Sequence, residues 1–203
     1  GKRYSDDTKV TDMLYECYAL AEKGEMKEDS FDAISERYNS IIKELGVDIC
    51  LEDDYAIIKK HFSEKCGKDY AASRGEFLNG KVLAAYLGFN FVDAADVIIF
   101  DTKGQLLLDE TVKAVRAQLK DLDNAVIPGF YGANPDGTIK TFSRGGSDFT
   151  GSVVAKAINA EIYENWTDVP GVAVSDPRIV ENPKFIDVVT YRELRELSYM
   201  GFS

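Results

Sequence analysis

"TFSRGGSDFTGSVVAKA", residues 141–157, joins a β-type run to a helix through a turn of unusual chemistry. Thr138 to Phe142 has the branched and aromatic character of a strand, and apolar residues then return at helical spacing at Val153, Val154, Ala157 and Ile158. Between them stand Arg144, Gly145, Gly146, Ser147 and Asp148. A strand delivered through a glycine turn into a helix is the unit from which α/β sheets are built. Glycines ahead of a helix also let backbone N–H groups converge on an anion, and the helix dipole adds to the attraction. Arg144 offers a planar fork that pairs at two points with a carboxylate or phosphate, and Asp148 can hold a metal, a lysine or an amine. The competing reading is a tight turn in which Ser147 or Asp148 only caps the helix.

Working outward, the first third is helical. Asp12–Leu20, Phe31–Leu45, Asp53–Cys66 and Ser73–Leu87 carry apolar residues at helix spacing, and Gly24, Gly46, Gly67 and Gly88 are natural stops. The pattern then changes. Asp96–Asp101 reads as a short buried strand, with Leu106–Leu108 its neighbour across a Lys103-Gly104 turn. Glu110–Leu119 is helical, and Ala125–Gly129 reads as a buried strand. Residues 133–138, "ANPDGT", form a turn by their chemistry. Strands are expected again at Ile162–Trp166, Val172–Val174 and Ile186–Val189, and a last helix starts at Tyr191. Strands alternating with helices predict an αβα sandwich around a mostly parallel open sheet.

The chain has 203 residues with 24 basic against 35 acidic side chains, a net charge of −11. That balance repels nucleic-acid phosphates and anionic membranes, so neither is an expected partner. An anionic ligand then needs local help from Arg, Lys, helix N-termini or a divalent metal. No apolar run approaches membrane-spanning length, and no signal peptide opens the chain. Cys17, Cys50 and Cys66 lack metal-ligand spacing and read as reduced thiols of a cytoplasmic protein. The start at Gly1 and the stop at Ser203 inside an apolar helix pattern suggest a fragment.

Nucleophilic-hydrolase chemistry has no footing here. His61, the one histidine, sits among Lys59, Lys60 and Glu64 and reads as a solvated surface group. Residues 75–81, "GEFLNGK", spell most of a P-loop, but Val82 replaces the Mg²⁺-binding hydroxyl and no strand precedes it. A second polar cluster does carry chemistry. In "NWTDVPGVAVSDPR", residues 165–178, an apolar run ends in Thr167 and Asp168, turns at Pro170-Gly171, and leads to Asp176 and Arg178. Ligands of open α/β sheets bind at the carboxyl ends of strands, where Thr167 and Asp168 are expected to lie. A capped turn with a surface ion pair is the plainer alternative.

Together these residues resemble the aspartokinases of the amino-acid-kinase family. "SRGGSDFTG", "WTDVPGV" and "SDPRIV" follow the order and spacing of that family's motifs. "PGFYGANPDGTIKTF" is similar to its G-F-x-G…D-G…T segment, "SRGE" (Ser73–Glu76) to its S-x-G-E substrate motif, and "KVTDML" to the region of a substrate-contacting threonine. The likeness runs from about Thr8 to Ser203, and the Arg-Gly-Gly-Ser-Asp element separates aspartokinases from acetylglutamate, glutamate and uridylate kinases of the same fold.

The resemblance implies ATP-dependent phosphorylation of the L-aspartate β-carboxylate, the first step toward lysine, threonine and methionine, in a sandwich without a P-loop and with Mg²⁺ carried on ATP. Glu76 would hold the substrate ammonium. Arg144 would clamp a carboxylate, with Gly145, Gly146 and Ser147 beside it, and Thr11 would touch the same ligand. Thr167, Asp168 and Arg178 would contact nucleotide, and Asp148 corresponds to the catalytic-site aspartate; no resident metal site is implied. The family's N-terminal strand, ending in K-F-G-G-S/T, and its small-molecule-sensing ACT domains fall outside residues 1–203. Ala173 replaces a tyrosine of the family, and Ser203 stands where some members have a lysine. A catalytic-domain fragment, inactive alone and homo-oligomeric in its full-length form, is the expectation. The alternatives are a kinase for another carboxylate-bearing amino acid, of glutamate or acetylglutamate type, and a non-catalytic ligand sensor.

Overall fold

The computed structural model describes residues 2, 4–143, 145–166, 171, 173–175 and 179–199, with backbone only for 197–199. It divides into two compact units, Gly1–Tyr163 and Glu164–Ser203.

Four helices open the first unit: α1 (Val10–Lys23), α2 (Asp32–Leu45), α3 (Glu52–Ser63) and α4 (Lys68–Leu87). A 3-10 turn, Glu28–Phe31, leads into α2. Their apolar stripes converge because residues three and four apart share a helix face. Leu14, Phe31, Ile34, Tyr55, Ile58, Phe62 and Leu78 are all buried in the resulting core. Phe62 packs edge-on to Tyr18 and Phe31, so Phe62→Ala is expected to cost roughly 3–5 kcal/mol.

A second core forms where the α/β pattern begins. β1 (Asn90–Phe91) pairs parallel with β2 (Ala125–Val126), in register Asn90↔Ala125 and Phe91↔Val126. The crossover between them contains α5 (Ala94–Val97) and α6 (Leu108–Leu119). β3 (Tyr131–Ala133) and β4 (Ile139–Thr141) form an antiparallel hairpin across the "NPDG" turn, and α7 (Gly146–Ile158) follows. Val97, Ile98, Phe100, Val115, Tyr131 and Ala157 fill this core, and Phe77 of α4 packs against both.

The second unit holds an antiparallel bridge, Ala173↔Phe185, and α8 (Tyr191–Tyr199). A capping box starts α8: Glu193 Oε2 accepts from Thr190 N–H at 2.8 Å, and Glu193 N–H donates back to the Thr190 hydroxyl.

Three expectations change. The segment read as a strand over Asp96–Asp101 begins as helix α5, because the Asp93 carboxylate accepts from Ala95 N–H and caps a turn there. Extended pairing is confined to Ile99↔Ala133 and Phe100↔Leu106. Ala125–Gly129 pairs only over Ala125–Val126. The runs at Ile162–Trp166 and Ile186–Val189 form no strand; Ile162 is 76% and Val188 87% exposed, and without a partner strand the apolar pattern alone fixes no ladder. Among the described residues, no helix is long and apolar enough to cross a membrane.

Candidate functional site

Two groups of the expected site residues assemble in the first unit. The first is built where α1 meets α4. Gly75 faces α1 there: a Cβ on it would lie in ordinary contact, 3.6 Å from both Val10 and Leu14. Thr11, next to Val10, is half-buried in the first turn of α1, and Glu76, next to Gly75, is exposed on α4. Thr11 and Glu76 each follow directly on a residue of that helix contact.

The neighbouring residues of "SRGE" turn inward. Ser73 and Arg74 are buried, and Arg74 Nε and Nη2 both donate to Ser73 Oγ, at 3.0 and 2.9 Å. The guanidinium lies over the rings of Tyr70, Phe77 and Tyr131, at 4.4, 4.6 and 5.3 Å from their centroids. Tyr131 donates to Asp93 Oδ1 at 2.7 Å. Burial first, then the Asp93 charge, push the Tyr131 phenol well above its usual range, so it stays a donor. The effect of this packing is to leave Glu76 as the one carboxylate of the motif facing water.

The second group lies at the mouth of α7. Gly145 is the N-cap in left-handed conformation (φ 57°), and Gly146, Ser147 and Asp148 form the first turn. A Cβ on Gly146 would come within 2.8 Å of Phe142 and 3.0 Å of the Phe130 Cα. One on Gly129 would come within 2.7 Å of the Ser147 Cα. Only glycine permits that contact between the β2–β3 loop and the start of the helix. Phe130 itself has a φ of 82°, costly for a residue with a side chain. It is held at both ends: its N–H donates to Thr150 Oγ1 at 3.2 Å, and its carbonyl accepts from Phe142 N–H at 2.9 Å. Thr150, buried, also donates to the carbonyl of Gly146 at 2.7 Å. Ser147 and Asp148 are exposed, with the N–H groups of the first turn beside them.

α4 links the two groups. Gly80 is four residues beyond Glu76, hence on the same helix face. A Cβ there would meet Phe91 at 3.1 Å and Pro128 at 3.4 Å, and Pro128 leads directly to Gly129 beside Ser147. Glu76 is thus one helical turn from the loop that abuts α7. A groove of about 680 Å³ starts at Gly129, Ser147 and Thr150 and runs along α7 past Val154 to Ile158; its lining includes neither Thr11 nor Glu76.

Arg144, Thr167, Asp168 and Arg178 lie outside the described residues. Ala173 is in the second unit, bridged to Phe185. His61 departs from its surface reading: half-buried, it has Nδ1 2.7 Å from the Tyr70 hydroxyl and packs edge-on to that ring. The cysteines are free thiols, and burial pushes Cys17 and Cys66 each up to about 11, which leaves both protonated at neutral pH. Sequence reasoning missed Phe130, Thr150, Arg37 and Tyr38. Phe130 was visible only as part of "PGFYG", since nothing in its residue type announces a positive φ.

The model of the amino acid kinase family matches residues 8–203. The chain belongs to the amino acid kinase family. Among the family's curated members, it is 37% identical over 219 aligned residues to aspartokinase 3 of Bacillus subtilis, covering 100% of this chain and 48% of that protein. It is 31% identical to the aspartokinase of Chlamydia muridarum, covering 95% and 46%. Of solved family structures, Clostridium acetobutylicum aspartate kinase superposes with a TM-score of 0.90 at 48% identity, over 98% of this chain and 46% of that one. E. coli aspartokinase III in complex with lysine and aspartate superposes at 0.72 and 25% identity, over 96% and 48%. The match to the C. acetobutylicum enzyme bears out the α/β kinase fold read from the sequence. The chain spans about half the length of the relatives it matches.

Proposed function

We propose that this chain is the catalytic part of an aspartate kinase, which transfers the γ-phosphoryl group of ATP to the β-carboxylate of L-aspartate. The observation that carries the reading is that α4 meets α1 at Gly75 and the β2–β3 loop at Gly80, and that this loop abuts Ser147 at Gly129, so one helix bearing the exposed Glu76 joins the start of α1 to the mouth of α7. Aspartate presents an ammonium and two carboxylates, which demand opposite charges placed apart. Glu76 takes the ammonium, and Thr11 hydrogen-bonds the same ligand. Arg144, Ser147 and the amides of Gly145 and Gly146 take the carboxylate end.

A β-carboxylate with a pKa of about 3.9 is ionised at pH 7, so its oxygen attacks phosphorus without a general base. ADP leaves, and 4-phospho-L-aspartate remains. A site without a histidine suits that chemistry, and His61 is engaged with Tyr70. What the reaction needs is positioning and neutralised charge. Thr167, Asp168 and Arg178 would supply the nucleotide contacts, and Mg²⁺ carried on ATP would add neutralising charge to the phosphates. The N-terminal helix end, with the amides of its first turn, fits phosphate oxygens, and Asp148 at that end organises cationic groups rather than moving a proton.

The test is kinetic, in the full-length protein. Glu76→Ala and Arg144→Ala should each weaken the use of aspartate by roughly 1.5–3 kcal/mol or more, the scale of charge-assisted hydrogen bonds. Wild-type aspartate kinetics in both variants would refute the assignment.

A further inference from the structure

Arg37 and Tyr38 are consecutive residues of α2, and both are buried. Neighbouring positions on a helix point about 100° apart, so the two side chains reach different elements. Arg37 reaches the segment in front of α1. Its Nη2 donates to Asp7 Oδ1 at 2.7 Å and its Nη1 to the carbonyl of Thr8 at 2.9 Å. Asp7 Oδ1 also accepts from the N–H of Thr8, at 3.0 Å. The N-cap of α1, Lys9, makes no side-chain cap, so this ion pair stands where a capping residue would otherwise set the entry of the helix. Thr11 lies in that first turn.

Tyr38 reaches α4. Its hydroxyl donates at 2.8 Å to the carbonyl of Gly75, in the peptide that joins Gly75 to Glu76. Burial, and next the Glu76 carboxylate, push the phenol well above its usual range; the hydroxyl is therefore a standing donor within electrostatic reach of Glu76. Tyr38 itself is buried, so a hydroxyl there that lost its partner would have little water to replace it. One turn of α2 thus grips both sides of the α1–α4 contact.

We propose that Arg37 and Tyr38 are the positioning residues of the amino-acid pocket: Arg37 fixes Thr11 through the entry of α1, and Tyr38 fixes Glu76 through the Gly75–Glu76 peptide. The inference rests on the reading of Thr11 and Glu76 as substrate contacts. Neither α2 residue touches substrate; each acts through the backbone it holds. Removing one should therefore blur the geometry of aspartate binding while leaving nucleotide binding and the chemical step alone.

The experiment is steady-state kinetics on the full-length protein with Tyr38→Phe, Arg37→Lys and Glu76→Ala, at a temperature well below each melting point. Tyr38→Phe keeps the ring and loses one hydroxyl, so it carries the test even if Arg37→Lys folds poorly. Tyr38→Phe should raise KM for aspartate about three- to tenfold, the range of one hydrogen bond, with kcat and KM for ATP within about twofold. Arg37→Lys keeps the charge, loses the two-point fork and should shift the same constant. A lowered melting temperature with wild-type KM for aspartate in Tyr38→Phe would mean a merely structural hydroxyl and overturn the proposal. If Glu76→Ala loses aspartate and Tyr38→Phe does not, the positioning role alone is wrong. If neither responds, the pocket has been misread and the positioning role goes with it.

Discussion

At the scale of single residues, Phe130 concentrates the cost of building the site. A non-glycine residue at a φ of 82° costs on the order of 1–3 kcal/mol, and it persists because its N–H and carbonyl are both engaged. The N–H partner is Thr150. Thr150→Val keeps the branched shape and leaves that N–H and the Gly146 carbonyl without the hydroxyl, so a loss of roughly 1–2 kcal/mol is expected in denaturant unfolding. Thr150→Ser should restore most of it, and equal stability of all three would show that the hydroxyl holds nothing. Asp148, two residues earlier and exposed, makes the opposite prediction. Asp148→Asn keeps the shape and removes the charge, so stability should hold while kcat of the full-length protein falls and KM for aspartate changes little. An unchanged kcat would remove Asp148 from the mechanism.

At the scale of elements, the join between α4 and β4 rests on Asp69. Its carboxylate accepts from Lys140 Nζ at 3.0 Å, Thr141 Oγ1 at 2.9 Å and Thr141 N–H at 3.3 Å. Burial works to raise its pKa, but the hydrogen bonds from Lys140 and Thr141 together outweigh that and hold it below the ordinary carboxylate range. A depressed carboxyl stabilises the fold above its unfolded value of about 3.9, and the contribution is lost as pH falls through the folded value. Asp69→Asn should therefore cost about 1 kcal/mol at pH 7, discounted for partial exposure, with the gap to wild type closing as pH drops below about 4. A gap independent of pH would assign the effect to packing. The helices that frame this join were legible in the sequence because their periodicity is local: all four of the first third occur, with boundaries shifted by up to five residues. Strands were less legible. Val97 and Ile98 have β-type side chains, yet the Asp93 cap wins over Ala94–Val97, and at Ile162–Trp166 an apolar run finds no partner. The site divides in the same way. Gly145–Asp148 announced itself through residue type, whereas Arg37 and Tyr38 sit in an ordinary helical stripe and their role emerges only from the carbonyls they meet.

At the scale of the whole molecule, the chain spans about half of its relatives, and one feature of the first unit bears on what that half can do. Among the described residues β2 is paired only by β1, and the groove lined by Ala125, Ile127, Val154 and Ile158 lies beside it. An unpaired strand edge next to an apolar groove offers hydrogen bonds and burial to a further strand. We propose that a strand of the longer protein, ending in the Lys-Phe-Gly-Gly that the family resemblance implies, pairs there and brings a lysine to the transferring phosphate. Loss of a preorganised cationic contact there costs about 10²–10³ in rate. The 203 residues assayed alone should therefore be slower than the full-length protein by at least that factor. The phosphoryl acceptor distinguishes an aspartate kinase from its relatives, and trapping the product identifies that acceptor. The full-length protein is incubated with ATP, Mg²⁺, hydroxylamine and one of L-aspartate, L-glutamate or N-acetyl-L-glutamate, and the hydroxamate formed from the acyl phosphate is measured. ATP-dependent hydroxamate is expected from L-aspartate, with little from the other two. Preference for glutamate or N-acetylglutamate, or no hydroxamate from any of the three, would contradict it.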